Sequence, residues 1–348
     1  MMGDRQSQKG GDSSRNYQAQ RDIVISGPSY ADVERIAMTV FKANFLELGD
    51  KAAERALERA QEFVDAFLKR AAEEGQTEIP EAENPDFRYA LFSAQREYAR
   101  TADEDLGELL IQLLIDRTKI RSRDLMQIVL NESLTVAPML TLDQLDTLSL
   151  VFLIKRTRSR GLNSLAALHS YLDRLILPFI PGVSSRESAY EHLEYARCGA
   201  ISINSVQVEE AFRQHYPGLL CKGFSREEIL TVGLAPEAYT HLIVPCLHDD
   251  ALLQVNALDD ESIDTKCAQL GIDSEKAKAL KSLQISKVME PQEVKEYLTG
   301  VRPQMERLFE VWDSTSMKHM TLTSVGIAIA HANIKRQAGE SFDLSIWI

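Results

Sequence analysis

Apolar residues recur every three to four positions through most of the chain from Ser29 to about residue 335, with short polar or proline-containing breaks between segments. This spacing places apolar side chains on one face of a helix, whereas a half-buried strand needs strict alternation. Apolar residues make up 44% of the 348 residues, enough to bury a core. The sequence therefore predicts a mainly α fold, a multi-helix bundle.

The charge balance limits the classes of partner. Asp and Glu number 52 against 39 Lys and Arg, which gives a net charge of −13. Such a chain is not expected to bind nucleic acid through its overall charge. Binding through a local basic patch remains an alternative.

Several features favour a cytoplasmic protein. The four cysteines are scattered and form no disulfide framework, which suits a reducing compartment. Residues 1–14 are polar and glycine-rich and lack the apolar run of a secretory signal. No stretch of 18 uncharged apolar residues occurs, so we expect no transmembrane segment.

Breaks in the helical pattern predict four parts. They are a leader with a self-pairing β-strand (1–28), a helical hairpin (29–75), a helical domain (84–317) and a C-terminal strand–helix–strand element (318–348). Inside the helical domain we expect a break near residues 101–103 and one long helix over 291–312, bent near its middle.

The leader contains the clearest alternation of side chains. Apolar residues share one face of an extended segment and amide side chains share the other. No adjacent segment offers a hairpin partner, so the backbone groups of this strand would pair with copies of itself, and the chain would be a homo-oligomer. A disordered leader is the alternative. The predicted oligomerisation residues are Asn16, Tyr17, Gln18, Ala19, Gln20, Ile23 and Ile25.

The C-terminal residues also alternate. Residues 318–323 predict a short strand, 324–335 an apolar helix and 342–348 a final strand. In that strand we expect Leu344, Ile346 and Ile348 to share the buried face.

Two basic clusters stand out from the acidic total, each after an apolar helix. One interpretation is a solvated loop that complements a helix dipole. The other is one shared site for phosphate, nucleic acid or an acidic partner. The candidate anion-binding residues are Arg117, Lys119, Arg121, Arg123, Lys155, Arg156, Arg158 and Arg160.

Motifs for catalysis and metal binding are weak. Cys221, His241, Cys246 and His248 supply zinc-type ligands, but the usual two-cysteine knuckle is missing. His248 with Asp249 forms an HD dipeptide, which occurs often by chance. Nucleophile-elbow serine and phosphate-binding glycine motifs are absent from the sequence. We predict no catalytic residue, no cofactor and no metal site.

The leader and the tail of the chain resemble a little-characterised family of bacterial proteins. The resemblance lies in residues 11–23 of the leader and in residues 322–331 and 343–348 of the tail. That family carries the same two ends around a helical middle. The middle of the chain resembles the helical domain of the Abi-alpha group, through residues 105–110 and 141–145. That group is linked to abortive infection, so the resemblance implies a bacterial protein of phage defence.

These observations lead to one leading function and two alternatives. The first is a non-enzymatic, oligomeric bacterial sensor or scaffold protein in anti-phage defence. Such a protein can also act through a second protein as its partner. The second is a protein that binds nucleic acid or an anionic ligand through the two basic clusters. The third is a metal-dependent hydrolase, which would also need further His and Asp ligands on facing helices.

Overall fold

The computed structural model describes residues 28–44, 50–76, 78–159 and 161–348. The fold is mainly α, as predicted, because these ranges hold fifteen α-helices and four strands of three residues each. The predicted oligomerisation residues of the leader lie outside the described residues. Among the helices of the described ranges, none is both long and apolar enough to cross a membrane.

The first four helices pack together. Helix α1 (Tyr30–Asn44) and α2 (Asp50–Glu73) contact each other, and both contact α3 (Pro85–Thr101). Helix α4 (Glu104–Thr118) packs against α2 and α3. The largest apolar core runs through these helices without a break and extends to Leu344. The predicted boundary between residues 75 and 84 stays a prediction.

The predicted break near residues 101–103 is confirmed. Ala102 adopts a left-handed conformation at the end of α3, with φ of 52°. The Asp103 side chain then accepts a hydrogen bond of 3.0 Å from the main-chain nitrogen of Leu106 and caps α4. The two residues stop one helix and start the next.

Helix α15 (Ser324–Ala338) lies at the centre of the bundle. It packs against α4, α5 (Leu125–Val136) and α6 (Leu142–Lys155). Ten consecutive residues, 325–334, are buried. A helix that is covered on all sides has to present mostly apolar side chains all round, and eight of these ten residues are apolar or glycine.

Eight further helices complete the described chain. They are α7 (Leu165–Tyr171), α8 (Glu187–Tyr195), α9 (Val208–His215), α10 (Arg226–Thr231), α11 (Asp260–Gln269), α12 (Ser274–Ser286), α13 (Pro291–Val301) and α14 (Met305–Ser314). The prediction of one long helix over 291–312 is wrong. Arg302 is extended, with φ of −142° and ψ of 93°, as expected for a residue that precedes a proline.

The strands form two small antiparallel pairs. Strand β1 (Gly199–Ile201) pairs with β4 (Met320–Leu322), and β2 (Ile243–Pro245) pairs with β3 (Leu253–Val255). The first pair joins the chain after α8 to the start of α15. The second pair belongs to a smaller apolar cluster that includes Phe224 and Leu280.

The C-terminal element is a strand, a helix and a turn. The predicted strand and helix are present as β4 and α15, but the predicted final strand is wrong, because Leu344–Ile346 form a 3-10 turn. The Asp343 carboxylate accepts hydrogen bonds from the main-chain nitrogen (3.0 Å) and hydroxyl (2.7 Å) of Ser345. This local bonding competes with an extended conformation. Leu344 is buried and Ile346 is 70% exposed, so the predicted common face is not formed.

Residues 341–348, called the C-terminal segment below, are held mainly by aromatic rings. The Phe152 ring centroid lies 5.6 Å from that of Phe342 and 4.9 Å from that of Trp347. The indole nitrogen of Trp347 donates a hydrogen bond of 3.1 Å to the main-chain oxygen of Arg156. The C-terminal segment therefore folds back onto the end of α6.

Two glycines allow a paired test of the close packing at α15. A Cβ at Gly326 would lie 1.8 Å from the main-chain oxygen of Cys198, whereas a Cβ at the exposed helical Gly300 meets no atom within 4 Å. We expect Gly326→Ala to lower the free energy of unfolding by about 1–3 kcal/mol, because the backbones must separate. We expect Gly300→Ala to raise it by about 0.5–1 kcal/mol. Urea denaturation followed by circular dichroism measures both, and equal effects would contradict the close approach.

Candidate functional site

Arg117, in the first predicted basic cluster, is fully buried. Its guanidinium donates hydrogen bonds to the side chains of Asp86 (2.7 Å) and Asn131 (3.0 Å) and to the main-chain oxygen of Ile120 (2.8 Å). Hydrogen bonds from Asn131 and Arg117 lower the pKa of Asp86. Arg117 thus joins α4 to α3 and α5, and this arrangement does not fit the predicted binding of an external anion.

Lys155, in the second cluster, has a similar structural role. Its ammonium donates to the main-chain oxygens of Met317 (3.0 Å), Lys318 (2.7 Å) and Met320 (2.9 Å). It also lies 5.2 Å from the centre of the Trp312 ring. Burial and the neighbouring Arg156 lower the pKa of Lys155 to about 8. All three N–H groups are in use, so Lys155 does not fit the predicted anion site either.

The other candidates fall into three groups. Lys119 pairs with the carboxylates of Glu74 and Asp116, and Arg158 pairs with Asp259. Arg160 lies outside the described residues. Arg121, Arg123 and Arg156 are exposed, as is the paired Arg158.

Both clusters follow helix ends that touch the C-terminal segment. Ile120, beside Arg121, shares a cavity wall with residues 341–345, and the Arg156 carbonyl binds Trp347. Lys119 of the first cluster and Arg156 of the second therefore both neighbour this segment.

A cavity of about 220 Å³ lies under the C-terminal segment. Its apolar walls come from Ile120 after α4, from α5 and from the segment itself, while Asp116 and His331 supply polar groups from α4 and α15. The lining residues are Asp116, Lys119, Ile120, Met126, Leu130, His331, Ser341, Phe342, Asp343, Leu344 and Ser345. A largely apolar cavity with a few convergent polar groups is the usual form of a small-molecule site.

The imidazole of His331 links the C-terminal segment to α4. Its Nε2 accepts a hydrogen bond of 3.1 Å from the main-chain nitrogen of Phe342. In neutral His331 the ring proton must therefore be on Nδ1, since Nε2 acts as an acceptor. Nδ1 faces Asp116 Oδ2 at 3.6 Å, and both atoms are buried without a hydrogen-bond partner.

Two lysines and one further carboxylate surround this pair. Lys335 contacts Glu74 (2.6 Å) and Asp116 (3.8 Å), and Lys119 contacts the same two carboxylates. Although burial alone would lower the pKa of Lys119, Asp116 and Glu74 raise it above its ordinary value. Burial lowers the pKa of His331, Asp116 only partly opposes this shift, and the two lysines add to it.

Ser341, His331 and Asp116 lie next to one another in the sequence of contacts Ser–His–Asp that a hydrolytic triad has. Their distances and bonds nevertheless favour a structural role. Ser341 Oγ lies 3.5 Å from His331 Nε2, beyond an effective O–H···N hydrogen bond. The lone pair of that nitrogen already accepts the Phe342 N–H. His331 therefore positions the C-terminal segment and is not free to accept a proton from Ser341.

The weak zinc candidates have other contacts. His248 Nε2 bonds the main-chain oxygen of Leu219 at 2.7 Å, so this nitrogen carries the proton. Burial raises the pKa of the Cys221 thiol to about 11, which opposes the thiolate that zinc needs. No group of three or more metal-ligating side chains is found in the described part of the chain.

Sequence reasoning missed Asp116 and His331 as site residues. Each is a single titratable residue in or at the end of an apolar helical run, and no motif marks either one. A signal was present, because a buried charged or ionisable group needs a partner. The two residues are 215 positions apart in the chain, so the sequence did not show that their side chains face each other in the folded protein.

The comparisons place the chain by family. A family model matches residues 27–348. The chain belongs to that uncharacterised family. No curated protein and no solved structure matches the chain. The matched range includes every residue that lines the cavity, whereas the resemblance of the middle of the chain to the Abi-alpha group stays a prediction.

Arg117 provides a stability test. We expect Arg117→Met to lower the free energy of unfolding by about 1–3 kcal/mol, because it leaves the main-chain oxygen of Ile120 and the half-exposed carboxylate of Asp86 without their donor. Arg121→Met changes an exposed arginine of the same cluster and should change stability by less than about 0.5 kcal/mol. Urea denaturation measures both values. Comparable small losses would show that the buried network is dispensable.

His331 provides a pH test. Its pKa is lower in the folded chain than the ordinary value near 6.5, so the unfolded chain binds more protons below about pH 6.5. Stability from this group is therefore present at pH 7 and is lost as the pH falls through the folded pKa. We expect His331→Gln to reduce the loss of unfolding free energy between pH 7.5 and pH 5.

The exposed His241 gives the matched control, since His241→Gln should leave the pH dependence unchanged. His215, whose pKa burial also lowers, is unchanged in both variants and contributes equally to their pH dependence. Identical pH profiles for wild type and His331→Gln would contradict the assignment.

Proposed function

We infer that the protein is a non-enzymatic sensor, in which a small molecule in the cavity changes the packing of the C-terminal segment. The observation that carries this proposal is that the segment forms one wall of the cavity. A ligand that enters the cavity has to contact Phe342 or Leu344. Its presence is therefore communicated directly to the segment.

The link through His331 makes this coupling specific. One main-chain hydrogen bond, from Phe342 to His331, connects the segment to α15. Beyond it, Trp347 packs on Phe152 and bonds Arg156 at the end of α6. A small shift at Phe342 would thus be transmitted through Trp347 to Arg156. The protein would then present a different surface around Arg156 when the cavity is occupied than when it is empty.

Assembly is the second part of the proposal. The alternating leader supports pairing of Tyr17, Ala19, Ile23 and Ile25 with the same residues of other copies, which would make the sensor a homo-oligomer. The resemblance of the middle of the chain to the Abi-alpha group supports a bacterial protein in phage defence. In this proposal the C-terminal segment detects the ligand, while the leader holds the copies together.

Binding of an anionic partner is a narrower second candidate. Arg121 and Arg123 follow α4 and Arg156 follows α6, all three are exposed, and the main-chain oxygen of Arg156 bonds Trp347 of the C-terminal segment. Such a surface would bind nucleic acid or an acidic protein with an affinity that falls steeply with salt. The proposal needs only these arginines, since Arg117 and Lys155 are bonded internally.

The two tryptophans allow the sensor proposal to be tested in one sample. We expect toluene, used as an apolar probe of the cavity, to shift the fluorine signal of 5-fluorotryptophan at position 347 in a saturable way. Trp312 is fully buried and bonds the main-chain oxygen of Val206, so its signal should stay fixed. Fluorine magnetic resonance on the full chain records both signals.

A variant with a filled cavity gives the control. Met126 lines the cavity and is only partly buried, so Met126→Trp should fill the space and abolish the toluene response. The added tryptophan gives a third signal that is identified by its absence from wild type. If the Trp347 signal does not respond in wild type, or still responds in the filled variant, the C-terminal segment does not sense the cavity.

A further inference from the structure

We propose that the cavity takes a small neutral molecule with a hydroxyl or amide group on an apolar frame of about one ring. This inference rests on the proposed function, because it names the ligand of the same cavity. Three properties of the site carry it: the balance of its charges, the pair of unpartnered polar atoms and the size of its apolar part.

The charges around the polar end of the cavity cancel. Asp116 and Glu74 are each in contact with Lys119 and with Lys335, which gives two carboxylates for two ammonium groups. Asp343, at the exposed side, bonds Ser345. A charged ligand would bring a charge that finds no counter-ion in this balanced network, whereas a neutral ligand leaves the network intact.

The unpartnered atoms are a donor and an acceptor. Since His331 Nε2 accepts the Phe342 N–H, its Nδ1 donates, and Asp116 Oδ2 accepts. They lie 3.6 Å apart. A single hydroxyl group within about 2.8 Å of both atoms would accept from His331 and donate to Asp116. An amide meets the same requirement with its oxygen and its N–H.

The apolar walls and the volume limit the rest of the molecule. Ile120, Met126 and Leu130 face Phe342 and Leu344 across the cavity. A volume of about 220 Å³ equals the share of about seven waters in the liquid, below the range of about 300–1,000 Å³ that is usual for ligand pockets. One ring with one polar substituent fits this space.

Three probes of nearly equal shape separate these properties. Phenol has a hydroxyl that donates and accepts, anisole has an oxygen that only accepts, and toluene has neither. We expect phenol to bind at least tenfold more tightly than toluene, and anisole to resemble toluene, because Asp116 needs a donor. The methyl signal of ¹³C-labelled Met126, in the full chain, measures the dissociation constants directly.

Substitution of the acceptor gives a second measurement. Asp116→Asn keeps the shape of the side chain but replaces the carboxylate, so phenol should lose its advantage while toluene binding is kept. Asp343→Asn changes a carboxylate that lines the cavity but bonds Ser345, and should keep the preference for phenol. An unchanged Trp312 signal confirms that each variant is folded, and the probe series in wild type decides the question if Asp116→Asn does not fold.

The outcomes separate this inference from the sensor proposal. Equal affinities for phenol and toluene, or no Met126 shift with any probe, would overturn the ligand class. A phenol preference without a response of Trp347 would uphold the ligand class and refute the coupling to the C-terminal segment. A Trp347 response to phenol and toluene with equal affinity would uphold the coupling to the C-terminal segment and refute the ligand class.

Discussion

The structure depends on the burial of most of one helix. Helix α15 is covered by α4, α5 and α6, and ten of its consecutive residues are buried. Burial on every side gives a helix no preferred rotation if all its side chains are apolar. Polar residues within the buried run therefore have to fix its orientation, and the described contacts show two that do so.

Asn333 and His331 provide this orientation on different sides. The Asn333 amide donates to Asp146 (3.2 Å) and to the Ser149 hydroxyl (3.0 Å), both on α6. His331 faces Asp116 on α4 and accepts the Phe342 N–H. A rotation of α15 would break both sets and leave buried polar groups without partners, which costs more than the bonds themselves contribute. His331 and Asp116 therefore belong both to the candidate site and to the contacts that fix the orientation of α15 in the core.

Local signals explain what the sequence predicted correctly. Thr141 and Gln144 form a reciprocal cap at the start of α6, and Asp103 caps α4, so both helix starts follow from side chains next to them. The final strand was predicted from alternation alone, but Asp343 bonds Ser345 and bends the chain into a turn. Both interpretations of the first basic cluster, a solvated loop or an anion site, need an accessible Arg117, but Arg117 is buried. Its partners Asp86 and Asn131 belong to other helices, and no local pattern identifies such contacts.

The role of Lys155 has a consequence for how the chain acquires its fold. Its ammonium bonds carbonyl groups that lie 162 to 165 positions later in the chain, and α15 follows directly after them. During synthesis, α4, α5 and α6 emerge long before the helix that covers their apolar faces. Contacts between such distant segments slow folding, because a long loop must close before they form. The early helices therefore expose a groove shaped for α15 until it arrives, and in that interval a chaperone or another apolar helix competes for the same surface.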